Sequence, residues 1–228
     1  MAQVASRPIV VDCSAKDTRE INRLIKAAEG EVLVTNPAAR HCLGVAILKP
    51  LKVVFDGPVG WYCAGMLDGG EVEVHGNCGW SVGENMMSGS IAVRGHAGSS
   101  AGATIRGGTL FVEGNAGART GISMKGGTVI VGGSVGYMSG FMMQTGALVV
   151  CGDAADGIGD SMYEGQIFVG GSIASLGSDA VEAELTQEDR DRLEAAGVAP
   201  AREWRKLVAG RKLWNFSKKE FEVWKVAL

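Results

Sequence analysis

The side chains able to do chemistry are few and scattered. The three histidines are His41, His75 and His96, and none stands at metal-ligand spacing to another or to an acid. His75 and His96 are 21 residues apart, which puts them in different columns of the repeat described below. Cys42 follows His41 directly, as a thiolate nucleophile beside its base would, but adjacent strand residues face opposite ways and nothing nearby lowers a thiol pKa. These residues read as surface positions.

The most acidic stretch carries Asp153, Asp156 and Asp160 between glycines. Calcium-binding solenoids repeat a nine-residue Gly-Gly-x-Gly-x-Asp unit. Here the aspartates fill one row only, so the stretch reads as a solvated turn. A phosphate loop of the form Gly-x-x-x-x-Gly-Lys-Ser/Thr does not occur, and the glycine pairs open no helix, which removes support for dinucleotide binding. The expectation is a chain with no catalytic, cofactor-binding or metal-binding residue of its own.

What positions these residues is a strict period. Gly57, Gly76, Gly95, Gly114, Gly133, Gly152 and Gly171 lie 19 residues apart, the signature of one unit stacked on copies of itself. An aliphatic column runs Val53, Val72, Ile91, Leu110, Val129, Leu148, Ile167, and two residues on runs Phe55, Val74, Val93, Val112, Val131, Val150, Val169. Alternate strand positions point the same way, so each row holds a short strand with these two side chains inward. A third column, Leu67, Met86, Ile105, Met124, Met143, Met162, has core spacing, and its methionines read as gap-filling core.

Between strands the rows read Gly-x-x-Gly-x-x-x-Gly, with Ala64 and Ala155 as departures. Glycines there allow positive φ or close approach of the neighbouring row. The residues after the ladder glycine, Pro58, Asn77, His96, Asn115, Ser134, Asp153 and Ser172, are all turn-forming or polar. The expected fold is therefore all-β: a single-stranded right-handed parallel β-helix with 19-residue turns, seven clear and an eighth degenerate one, plus short terminal helices. Hexapeptide acyltransferases, the enzyme class nearest in pattern, repeat every six residues, and 19 is no multiple of six. A β-helix enzyme acting on a sugar or acyl donor needs an acid or histidine ladder, which the columns lack.

Three segments follow: a strand and capping helix over 1–30, the β-helix over 31–180, and a helical, aromatic tail over 181–228. Ser14 or Asp17 can cap a first helix carrying Ile21, Leu24, Ile25 and Ala28, with Gly30 as its end. Thr186-Gln187-Glu188-Asp189 resembles a capping box, Gly197 a stop, and Pro200 the start of a further helix. The two helices are expected to cover the open ends of the coil. Outer-face positions turn apolar in later rows (Phe111, Ile130, Val149, Phe168), and with the tail aromatics Trp204, Trp214, Phe216, Phe221 and Trp224 they are expected as partner surfaces.

Composition sets the outer limits. The formal charge is -3 from 22 basic and 25 acidic residues, too balanced for nucleic acid or an anionic membrane. The 35 glycines against 5 prolines are turn glycines rather than collagen or linker. Five dispersed cysteines with no Cys-x-x-Cys are expected as free thiols, and the absence of an apolar leader over Met1 to Val11 gives a cytoplasmic expectation.

The repeated Gly-x-x-Gly-x-x-x-Gly with its valine rows, over roughly residues 30–180, resembles the C-terminal β-helix (GXGXG) domain of the glutamate synthase large subunit, and the β-helix subunit of formylmethanofuran dehydrogenase. With the leading helix from Thr18 to Ala28 and the tail ending Trp224-Lys225-Val226-Ala227-Leu228, the chain is most similar to the small β-helix subunit of N-methylglutamate synthase (methylamine–glutamate N-methyltransferase). That resemblance implies a non-catalytic scaffold subunit of an enzyme complex in methylotrophic bacteria. It would hold an amidotransferase-like subunit and an FMN and iron–sulfur subunit, the complex making N-methylglutamate and ammonia from glutamate and methylamine. The alternatives are the β-helix role in a formylmethanofuran dehydrogenase or formyltransferase/hydrolase complex, or a stand-alone glutamate synthase β-helix subunit. No cofactor is implied on this chain. The amidotransferase's N-terminal cysteine has no counterpart at Met1-Ala2.

Overall fold

Each row of the repeat contributes one short strand to a single sheet. A computed structural model describes residues 7–198 and 203–210. Its strands are β1 (Ile9–Asp12), β2 (Glu31–Thr35), β3 (Lys52–Asp56), β4 (Glu71–Val74), β5 (Ser90–Val93), β6 (Thr109–Val112), β7 (Lys125–Val131), β8 (Thr145–Val150), β9 (Gln166–Val169), β10 (Ala180–Ala183) and β11 (Arg205–Ala209). Two helices are interposed, α1 (Thr18–Ala27) and α2 (Gln187–Ala195). Strands β1 to β9 pair in chain order, all parallel.

From β3 onward the register is the 19-residue period: Val53 pairs with Val72, Val72 with Ile91, Ile91 with Leu110. Every residue of the two aliphatic columns is buried, and so is every residue of the third column from Leu67 to Met162. A second ladder, just past the corner that follows each strand, joins the rows through parallel bridges Val59–Cys78–Ala97–Ala116–Val135–Ala154–Ile173. The expected parallel solenoid of 19-residue turns is therefore present, with eight rows from β2 to β9. Stacked rows lie about 4.8 Å apart.

The glycines serve two different purposes at the corners. Gly152 has no positive φ, but a Cβ on it would meet Ser134 Oγ at 2.6 Å and the Gly133 carbonyl carbon at 2.7 Å. Gly102 instead adopts φ +67°, and a Cβ there would also meet Val129 Cγ2 at 2.6 Å. Ala64 occupies the equivalent of Gly102 with φ 54° and is fully buried, so at that corner the coil accepts a left-handed alanine.

At the N-terminal end α1 covers the coil. Asp17 is its N-cap, accepting from the Glu20 N–H, and Ile21 and Ile25 are buried in the core. Asn22 pins the helix to the first row: its Nδ2 donates to the Cys42 carbonyl at 2.7 Å and its Oδ1 accepts from the Gly44 N–H at 2.7 Å. The helix ends at Ala27, and Gly30, at φ +80°, makes the turn into β2.

The C-terminal end differs from expectation. Thr186 and Asp189 form the capping box of α2, and Gly197 follows with φ +71°. Within the described residues, however, the segment after Pro200 is the strand β11, antiparallel to β9 and in turn antiparallel to β10. An edge left open by β9 gains more from backbone pairing than a helix could supply, and β11 provides it. Helix α2 lies instead over the outer face of the late rows. Ile130, Val149 and Phe168 are buried there with Leu193, Val198 and Trp204, and Phe111 packs at the rim. The apolar outer patch is thus filled by the chain itself, which corrects its assignment as a partner surface. Trp214, Phe216, Phe221 and Trp224 lie outside the described residues.

Candidate functional site

The turn column after the ladder glycines forms one continuous hydrogen-bond ladder. Asn77 Oδ1 accepts from the His96 N–H at 2.8 Å, His96 Nδ1 from the Asn115 N–H at 2.9 Å, and Asn115 Oδ1 from the Ser134 N–H at 2.9 Å. Ser134 Oγ then accepts from the Asp153 N–H at 2.9 Å, and Asp153 Oδ1 from the Ser172 N–H at 2.7 Å. The column requires a short acceptor, which explains why histidine, asparagine, serine and aspartate alternate in it. Since His96 accepts at Nδ1, its ring proton sits on Nε2. This is structural work.

The acidic turn is used in the same way. Ser172 N–H and Oγ–H bonds hold the Asp153 carboxyl below the usual carboxylate range, while Asp160, lowered by the Ser178 N–H and the Ser161 hydroxyl, and Asp156, bonded by Ser175, likewise serve the next row. No three His, Cys, Asp or Glu side chains converge as a metal cluster among the described residues. His75 belongs to an outer-face network with Glu73 and Asp56. Glu73 is held low chiefly by its hydrogen bond from Arg94.

Among the described residues no disulfide joins any of the five cysteines. Burial pushes Cys78 up to about 12 and Cys63 well above its ordinary value, so both behave as core residues rather than nucleophiles. Cys42 is exposed at φ 57°. His41 faces a different partner.

That partner is a stack. The rings of His41 and Trp61 lie 4.5 Å apart at 15°, and those of Trp61 and Trp80 5.2 Å apart at 14°. His41 Nδ1 also accepts the Trp61 N–H at 3.0 Å, which locks the ladder to the backbone. Trp61 and Trp80 remain 44% and 56% exposed, with Tyr62 and Met66 beside them similarly open. No family model matches the chain. A 73-residue stretch is 46% identical to Protein GlxC of Rhizobium meliloti (strain 1021). That stretch covers 30% of this chain and 32% of the relative, so the match spans about a third of the relative's length.

The aromatic edge carries a weak signal in the residues alone, although Trp61 and Trp80 are 19 apart and share a column. His41 is 20 residues before Trp61, one out of register, because the first row is longer than the others. Rows after Trp80 place Ser99 and then Ala118 in this column, as the Ser81 and Ser100 N–H bonds to their carbonyls show. The ladder therefore ends at Trp80 over small side chains. Half-exposed tryptophans of this kind are the residue type most enriched at the centre of protein interfaces. No helix among the described residues is long and apolar enough to cross a membrane.

Proposed function

We propose that the chain is a non-catalytic scaffold subunit of a glutamate-synthase-like complex, N-methylglutamate synthase in particular, and that it binds its partner subunits through the His41–Trp61–Trp80 edge. The observation that carries this reading is the exposed stack itself. Stacking three rings on a rigid coil fixes their rotamers in advance, so a partner that covers them pays little further ordering entropy. A tall coil with regularly spaced corners also keeps two bound subunits at a fixed separation, which suits transfer of a small amine between their sites. The sequence resemblance supports reading those subunits as one amidotransferase-like and one carrying FMN and an iron–sulfur cluster.

Purification of the tagged full chain from its source cells tests this. The expected result is co-purification of both subunits, with formation of N-methylglutamate and ammonia from glutamate and methylamine. A metallohydrolase-like partner would transfer the chain to the formylmethanofuran type of complex. A lone chain with enzymatic activity would end the scaffold reading.

A further inference from the structure

A second surface is lined by neither Trp61 nor Trp80. Between α1 and the early rows runs an open groove of 970 Å³. Its floor is apolar, with Val45, Tyr62 and Met66, and the last two are about half exposed. One wall is α1, which presents Arg19, Arg23 and Lys26 at positions i, i+4 and i+7 of a single helix face. Lys26 also edges an adjoining 210 Å³ pocket beside the exposed Leu48.

The three cations have no carboxylate partner among the described residues. Lys49 nearby is paired with Glu29, and Glu84 on the facing wall is the one carboxylate in the lining. Their helix cannot roll to hide them, because Asn22 is bonded on both sides to the first row and Ile21 and Ile25 are sunk in the core. A row of fixed, unpaired cations above an apolar floor is complementary to one chemistry: apolar side chains on one face and carboxylates along the flank.

We propose that this groove docks an acidic amphipathic segment of a partner protein, its apolar face on Tyr62, Met66 and Val45 and its carboxylates on Arg19, Arg23 and Lys26. The proposal rests on the scaffold reading and gives it a second, separate contact. Its three cations are spread over about two turns of α1, so they match carboxylates spaced along the flank of a segment better than one anionic group.

The test places a photo-crosslinking benzoylphenylalanine at Tyr62, and in a second version at Trp80, in the full chain expressed in its source cells. The Tyr62 probe is expected to capture a peptide of another protein with apolar residues at helical spacing and an excess of Asp and Glu. Arg19→Glu/Arg23→Glu/Lys26→Glu should cut that yield more than about tenfold and leave the Trp80 crosslinks in place. Crosslinks at Trp80 with none at Tyr62, a captured peptide without acidic excess, or a yield unmoved by the triple reversal each overturn the groove proposal while the scaffold reading stands. Silence at both positions overturns the two together. Co-sedimentation with phosphatidylserine vesicles that the triple reversal abolishes would assign the groove to a lipid surface and overturn it as well.

Discussion

Asp189 Oδ2 lies 2.6 Å from Lys206 Nζ, and both side chains are almost wholly out of solvent. The same Asp189 oxygen accepts from the N–H and hydroxyl of Thr186. One carboxylate thus joins the first turn of α2 to β11, and so seals the apolar outer face of the late rows with the strand that covers the open end of the sheet. Removing the carboxylate strands a buried ammonium. Asp189→Ala is expected to cost about 3–5 kcal/mol in urea unfolding, whereas a loss below about 1 kcal/mol would show the pair to be solvated.

The pair also sets a pH dependence. Burial by itself would raise the Asp189 carboxyl, but hydrogen bonds from Lys206 and Thr186 overcome it and hold the group below its ordinary 3.8. Because the folded value is the lower one, the stabilisation is complete at neutral pH and is lost as pH falls through and below 3.8. The wild-type unfolding midpoint should fall more steeply than that of Asp189→Asn across that window. Parallel curves would remove Asp189 from the acid transition.

The turn ladder predicts tolerance by shape rather than by charge. His96 is needed only as an acceptor for the Asn115 N–H, a role that Asn77 and Asn115 fill in their own rows. His96→Asn is therefore expected within about 0.5 kcal/mol of wild type, and His96→Ala to cost about 1 kcal/mol, both read by thermal unfolding. Equal losses would show that the ring itself is needed.

The corners make an asymmetric prediction. Gly102→Ala brings a Cβ against Val129 at φ +67° and should cost about 2 kcal/mol or more. In Ala64→Gly, relief of the left-handed alanine, about 1–2 kcal/mol, is offset by the lost buried methyl and added chain entropy. The expected change in urea unfolding is within about 0.5 kcal/mol. A Gly102→Ala protein as stable as wild type would show that the corner moves to accept a Cβ.

The coil was legible because its columns repeat at a fixed distance: Val53 to Ile167 and Leu67 to Met162 each report burial seven and six times over. The ends were not, for physical reasons. Val32 pairs with Val53 across 21 residues, so His41 falls outside the register that would have placed it against Trp61. Strand β11 owes its form to the free edge of β9, a tertiary contact that the local pattern Arg205–Ala209 does not encode. The late outer face was legible as covered, through Ile130, Val149 and Phe168, but its cover is α2 and Trp204 of the same chain. A column pattern shows that a surface is apolar and leaves open what lies on it.

Attachment of other subunits at the aromatic edge is read by stoichiometric co-purification of tagged wild type against Trp61→Ala/Trp80→Ala. Both tryptophans are about half exposed, so the double variant should keep the wild-type unfolding midpoint within a few degrees. The wild type is expected to retain its partner subunits while the folded double variant loses at least one of them by more than about tenfold. Full retention of every partner by that variant, at unchanged stability, would contradict it.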